Sequence, residues 1–246
     1  MMNKKIIVIS VLIVFIIVAF VIFNGNYYKI EDRTTQLKEF RYFNSKATGW
    51  LKIQGTDIDM PIMLLYDVED VSDPKYDIGW TDDKGKQPLV IIKSHNMRNV
   101  SSHPLINDKN HARFEQLMGF VYYDFAKNNQ YIQYTVDGKN YLYRIYSVFF
   151  TNSDYVNKIG DNYTKDDRNE YINKSKKNSL YLYENSKTLS DDDLLVLVTC
   201  TRFYGLSDND QFVVNARRVH KDERIKKYGV REKKNYQKVK KVLDKE

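Results

Sequence analysis

Tyr131-Ile-Gln-Tyr-Thr-Val136, Asp137-Gly138 and Lys139-Asn-Tyr-Leu-Tyr-Arg-Ile-Tyr-Ser-Val-Phe-Phe150 form the clearest local signal in the sequence. Aromatic and β-branched residues fill both flanks, a composition that packs well on a pleated surface. The Asp-Gly pair between them tolerates positive φ at both central positions of a type I′ turn, so the stretch predicts a β-hairpin. Working outward, Pro88-Leu-Val-Ile-Ile-Lys93 and Leu194-Leu-Val-Leu-Val198 are continuous apolar runs of strand length, which predicts buried strands, and Phe212-Val-Val-Asn-Ala-Arg217 predicts the last one. Leu51–Gln54 and Ile58–Met63 read as two short strands around a Gly55-Thr-Asp57 turn, with Pro61 restricting the second to an edge or a strand end. Leu37, Phe40 and Phe43 suit one face of a short helix, and Tyr171, Ile172, Ser175 and Leu182 place a surface helix within Asp166–Tyr183. Many short strands, few helices and no βαβ alternation predict a mixed sheet or closed barrel with appended helices.

Composition narrows the class. Of 246 residues, 42% are hydrophobic and 29% charged, which excludes a polytopic membrane protein and a disordered chain. A single Cys excludes an internal disulfide framework and any multi-Cys zinc or iron–sulfur site. The net charge of +7 is unevenly placed. Arg217–Glu246 holds 13 Lys and Arg against 5 Asp and Glu, a surplus of +8, while the other 216 residues sum to −1. Such a basic end reads as a solvated helix or fray, or as a segment drawn to anionic lipid or to wall-polymer phosphates.

Ile6–Phe23 is an 18-residue run without charge, preceded by Lys4 and Lys5. That length approaches the roughly 30 Å hydrocarbon core, so the run predicts a single-pass anchor with residues 1–5 cytoplasmic and the remainder exported. A cleaved signal peptide has a shorter apolar stretch of about 7–15 residues and a small-residue cleavage site, which Phe23–Tyr28 does not offer. Export argues against a nucleic-acid partner. The expected organisation is an anchor at 6–23, a helical linker at 24–48, a catalytic barrel at 49–219 and a basic tail at 220–246.

Cys200 ends an apolar strand where a loop begins, a rim position at which a reactive group is accessible. Free Cys is commonly inert core, but an unpaired exported thiol is an oxidation liability. As a nucleophile it needs a neighbouring cation or His to ionise. His95 also follows a buried strand and so stands at a rim, 105 positions earlier; His103, His111 and His220 read as surface residues.

Val196-Leu-Val-Thr-Cys200 resembles the Thr-Leu-x-Thr-Cys signature of sortases, with Val196 in place of the leading Thr. Further segments resemble class B sortases in order: Asn44 with Gly49-Trp50-Leu-Lys-Ile53; Gly55-Thr-Asp-Ile-Asp59 with Pro61; Ser94-His95-Asn96-Met97; Tyr171-Ile172, Lys176-Lys177 and Ser179-Leu180-Tyr181; and Phe212–Arg218. The resemblance spans Asn44 to Arg218. It implies a mainly β fold, an eight-stranded β-barrel with an N-terminal helix and an additional helix before the catalytic-cysteine strand. It also implies a transpeptidase on the outer face of a Gram-positive cell. Cys200 would attack a carbonyl in the sorting signal of a surface protein, His95 would protonate the departing amine, and a peptidoglycan-precursor or pilin amine would resolve the thioester. No metal or cofactor is implied.

The sequence departs from the family at one place: the Arg that opens the last strand is replaced by Gln211. A Gln amide can donate to a substrate carbonyl or oxyanion, without the charge assistance that roughly doubles such a bond. Loss of an oxyanion donor typically costs about 10²–10³ in rate. Arg202, two residues past Cys200, is the candidate to supply charge from the loop; Arg217 lies too far along the strand and reads as a surface charge. Gln211 therefore motivates one alternative, a weakened sortase-like module that binds sorting signals without efficient turnover; an exported cysteine hydrolase is a third reading. The stretch Asn99–Arg113 is a longer loop after His95 than the family pattern has.

Overall fold

A computed structural model describes residues 27–64, 79–81, 88–96, 101–106, 113–152, 164–205 and 210–245. The chain divides into two compact units. The smaller, Met1–Lys29 with Arg224–Lys226, carries no regular element among its described residues. The larger, Ile30–Glu223 with Lys227–Glu246, holds α1 (Thr34–Phe43), β1 (Ala47–Ile53), β2 (Asp59–Leu64), β3 (Gly79–Thr81) and β4 (Leu89–Ser94). A 3₁₀ segment (Arg113–Val121), α2 (Tyr123–Asn128), β5 (Tyr131–Val136), β6 (Lys139–Asn152), α3 (Lys165–Asn178) and β7 (Tyr181–Tyr183) follow. The last elements are β8 (Leu194–Cys200), β9 (Asp210–Arg218), β10 (Val230–Glu232) and α4 (Tyr236–Leu243).

Eight strands close into a barrel in the order β1-β2-β3-β4-β8-β9-β6-β5, with α1 ahead of it and α3 ahead of the strand that ends at Cys200, as the sequence implied. The hairpin is in register from Tyr131↔Arg144 to Val136↔Lys139, and its turn has φ of 49° at Asp137 and 69° at Gly138. Gly49 is required where β1 passes β5: a Cβ there would stand 2.4 Å from the Tyr134 hydroxyl oxygen.

The uninterrupted apolar run of β8 follows from burial on both faces. Leu195 and Leu197 point into the barrel with Ile92, Phe212 and Val214, whereas Val196 and Val198 face outward with Phe149, Val213 and Tyr171 of α3. α3 is started by a capping box, in which Asp167 N–H donates to Thr164 Oγ1 at 3.2 Å and Thr164 N–H to Asp167 Oδ2 at 2.9 Å. It is tied down where the Tyr171 hydroxyl donates to Asn215 Oδ1 at 2.7 Å. Pro61 lies within β2 rather than at its end, and it is tolerated because β3 pairs only from Ile62 onward, leaving Pro61 bonded on the β1 side.

Two further sequence readings are corrected. Arg217 is not a surface charge: it is 1% exposed and shares Glu223 with the equally buried Arg144, at 2.6 Å and 2.7 Å. Its remaining donors go to the carbonyls of Lys187 and Arg218. Period-two counting placed it on the strand but could not see a carboxylate arriving from beyond it. The second correction concerns location. Among the described residues no helix is long and apolar enough to cross a membrane, which overturns the expected single-pass location; Ile6–Phe23, on which it rested, lies outside the described residues.

Burial works to raise the Glu223 pKa, but hydrogen bonds from Arg217 and Arg144 overcome it and hold the carboxyl below its ordinary 4.5. A carboxyl lowered in the folded state stabilises fully above the unfolded value and loses that contribution as pH falls. Glu223→Gln leaves two buried guanidiniums short of a counter-charge, so urea unfolding at pH 7 should show a loss of about 3–5 kcal/mol. The parent should lose stability on acidification below pH 4.5 more steeply than the variant.

Candidate active site

Two ladders meet at one end of β8. On one side β8 runs parallel to β4, from Leu89↔Leu194 to Ser94↔Thr199, and the Thr199 hydroxyl donates to the Ser94 carbonyl at 3.0 Å. On the other side β8 is antiparallel to β9, and its last pair is Cys200↔Gln211. His95 is the first residue past β4 and Cys200 the last of β8, so parallel register brings both to the same rim. Asn96 locks the junction: it is 3% exposed, and its amide Nδ2 donates to the Cys200 carbonyl at 2.9 Å.

Cys200 is free and exposed, and His95 is half-buried beside it in the strand order. Burial of its surroundings raises the Cys200 thiol above the ordinary 9.0, and the Arg202 guanidinium pulls the other way. The balance favours the protonated thiol. The exposed Arg202 lies within electrostatic reach of the sulfur, as sequence spacing suggested. Gln211 stands directly across from Cys200, so its side chain leaves the sheet on the same face. Its Oε1 is buried without a partner, as is Asn96 Oδ1. Arg217 pairs with Leu194, the opposite end of β8 from Cys200, about 20 Å away at ~3.3 Å per residue. It lines a cleft of about 460 Å³ with His220, Glu223 and Tyr228 that belongs to that far end of the barrel.

Two features escaped sequence reasoning. Asn96 was visible only as a polar neighbour of His95; its carbonyl partner lies 104 positions on. An aromatic cluster also joins the end of β9 to the loop after Cys200: Phe150 lies 5.0 Å from the buried Phe203, 4.9 Å from the exposed Tyr204 and 4.9 Å from the buried Phe212, centroid to centroid. Phe203-Tyr204 interrupting an otherwise polar loop after Cys200 was the available signal. Among the described residues no group of three His, Cys, Asp or Glu is placed to hold a metal ion.

A family model described as Sortase domain matches residues 51–219. Sortase B of Listeria monocytogenes is 24% identical over 169 residues, 67% of each chain. Among solved structures, sortase B of Clostridium perfringens aligns with a TM-score of 0.61 at 22% identity, covering 74% of this chain and 99% of that one. A Staphylococcus aureus sortase B–substrate complex aligns at 0.58 with 16% identity, covering 77% and 87%. The structures share this fold.

The thiol's raised pKa and the opposing Arg202 charge give a direct check. Iodoacetamide alkylation of Cys200 should accelerate with pH without levelling before pH 9.0. An exposed charge contributes about 0.2–1 kcal/mol, so Arg202→Gln should slow alkylation at pH 7.5 by roughly one-and-a-half- to fivefold.

Proposed function

The chain belongs to the sortase family, and on that footing we propose that it is a cysteine transpeptidase that uses Cys200 as nucleophile and His95 as acid and base. The reading rests chiefly on one observation: parallel register between β4 and β8 delivers the chain's only thiol and an imidazole-bearing residue to one rim, with Asn96 bridging them. Cys200 Sγ attacks the carbonyl carbon of a peptide bond in a sorting signal, the C–N bond breaks, and His95 transfers a proton to the leaving amine. A thioester then joins the peptide to Cys200. An acceptor amine attacks that carbonyl, gives its proton to His95 and releases the thiolate.

The raised thiol pKa bears on the order of events. A neutral thiol beside an imidazole gives up its proton as the S–C bond forms, when the site is covered by substrate and water is reduced. Gln211, opposite Cys200, offers an uncharged amide to the developing oxyanion, and Arg202 adds positive charge from the loop. The exposed Tyr204, packed on Phe150, offers an aromatic surface to an apolar side chain of the peptide. The peptide would be the C-terminal sorting signal of a surface protein, in keeping with the substrate complex of the staphylococcal relative, and the acceptor an amine of a cell-wall precursor or a pilin.

A library of quenched sorting-signal peptides, incubated with and without added amine, tests the reading. Cys200→Ala and His95→Ala should each abolish cleavage, and the parent should yield an amine-linked product. Gln211→Arg should raise the rate severalfold by restoring a charge-assisted donor. Equal cleavage with and without amine and no linked product would make the protein a hydrolase. An unlabelled Cys200 and uncut peptides would make it a binding module.

A further inference from the structure

The charge surplus at the C-terminal end of the chain is organised by the fold. α4 packs Tyr236 and Val239 inward, with Val242 and Leu243 partly buried beside them. At 100° per residue this leaves Lys238 and Lys241, spaced i and i+3, along the opposite, exposed stripe, and the exposed Lys245 follows just past the helix end. The segment ahead of α4 is pinned to the last turn of α3. Lys233 Nζ donates to the carbonyls of Lys176 and Lys177 at 2.5 Å and 3.0 Å, and Asn235 Nδ2 donates to the Lys177 carbonyl at 2.9 Å. The exposed Lys177 and Lys234 are thereby held at the head of the stripe. Among the described residues Lys234, Lys238, Lys241 and Lys245 form no ion pair, whereas the neighbouring Arg231 is paired with Glu184 at 3.1 Å.

We propose that the Lys238–Lys241 stripe with Lys245 past its end, headed by Lys177 and Lys234, is a docking surface for a linear phosphate polymer. Two features set the chemistry. All five cations are lysines, compact ammonium point charges that follow a run of phosphates without the planar fork that arginine uses to single out individual groups. The only aromatic between Val230 and Lys245, Tyr236, is buried, so the surface offers no platform on which a nucleobase could stack. The surface reads charge spaced along a chain and nothing else. It is independent of the Cys200 chemistry and stands or falls apart from it.

The full-length protein is titrated against end-labelled long-chain inorganic polyphosphate by fluorescence anisotropy, from about 50 to 200 mM salt. Binding should weaken as salt rises. The variant Lys238→Gln, Lys241→Gln, Lys245→Gln adds no negative charge to the end of α4. It should bind at least about tenfold more weakly at low salt, with a log–log slope shallower by about 2, near 0.7 per cation lost. A control carrying Lys38→Gln, Lys46→Gln and Lys139→Gln, exposed lysines elsewhere, has the same net charge and should bind like the parent. Thermal melts confirm that both variants are folded. Equal weakening in the control would overturn the proposal in favour of net charge alone. Polyglutamate binding as tightly as polyphosphate, or an oligonucleotide binding far more tightly than either, would overturn the assignment to a phosphate chain.

Discussion

Everything at the candidate site depends on the parallel ladder between β4 and β8. Parallel strands cannot be joined by a tight turn; they need a long connection. Here that connection runs from Ser94 to Leu194 and contains the 3₁₀ segment, α2, the β5–β6 hairpin, α3 and β7. Loop closure over such a length costs little more than over half of it, about 0.6 kcal/mol per doubling. The separation of His95 from Cys200 in sequence is therefore cheap in stability. What fixes their meeting is register, because a slip of one residue would turn β8 over and move Leu195 and Leu197 out of the barrel.

That constraint is protected by covering both faces of β8. The barrel interior takes one set of its side chains and α3 takes the other, so neither register nor rotation of the strand is free. At the end of β8 remote from Cys200, Arg144 and Arg217 converge on Glu223. A buried charge cluster is a poor source of net stability but a demanding one geometrically, since a guanidinium left alone there is severely penalised. One end of the strand is clamped by charge, its middle by apolar packing, and the rim end carries the thiol, where access matters more than rigidity.

The sequence was most legible where structure is local or periodic. Asp137-Gly138 named its own turn, and the apolar runs at Leu89–Ile92 and Leu194–Val198 marked central strands without help from any neighbour. Cys200 and His95 could be singled out because strand ends are rim positions. Reading failed where a residue's role is set by a partner distant in the chain. Arg217 is an exposed cation until Glu223 is placed beside it, and Pro61 suggests a strand end until β3 is seen to pair only beyond it. Asn96 has no periodicity to betray it, since its whole contribution is one hydrogen bond to a carbonyl 104 positions away. The aromatic cluster was hidden for the same reason: Phe150 and Phe203 belong to elements whose contact exists only after the barrel closes.

Gln211 separates two properties that an arginine at this place would combine. Shape is retained, because the Cys200↔Gln211 pair puts an amide across from the sulfur. Charge is displaced to Arg202, which is exposed and so acts on the thiol through water as well as through protein. A charge in that position is screened by salt and worth a fraction of what it would contribute in a dry site. Excluding water at the rim would raise the thiol further, so lowering its pKa falls to charge and to proton acceptance beside it. On this reasoning the thiol at rest leans toward its neutral, less reactive form. For an unpaired cysteine at an open rim, that arrangement also limits oxidation, which follows the thiolate rather than the thiol.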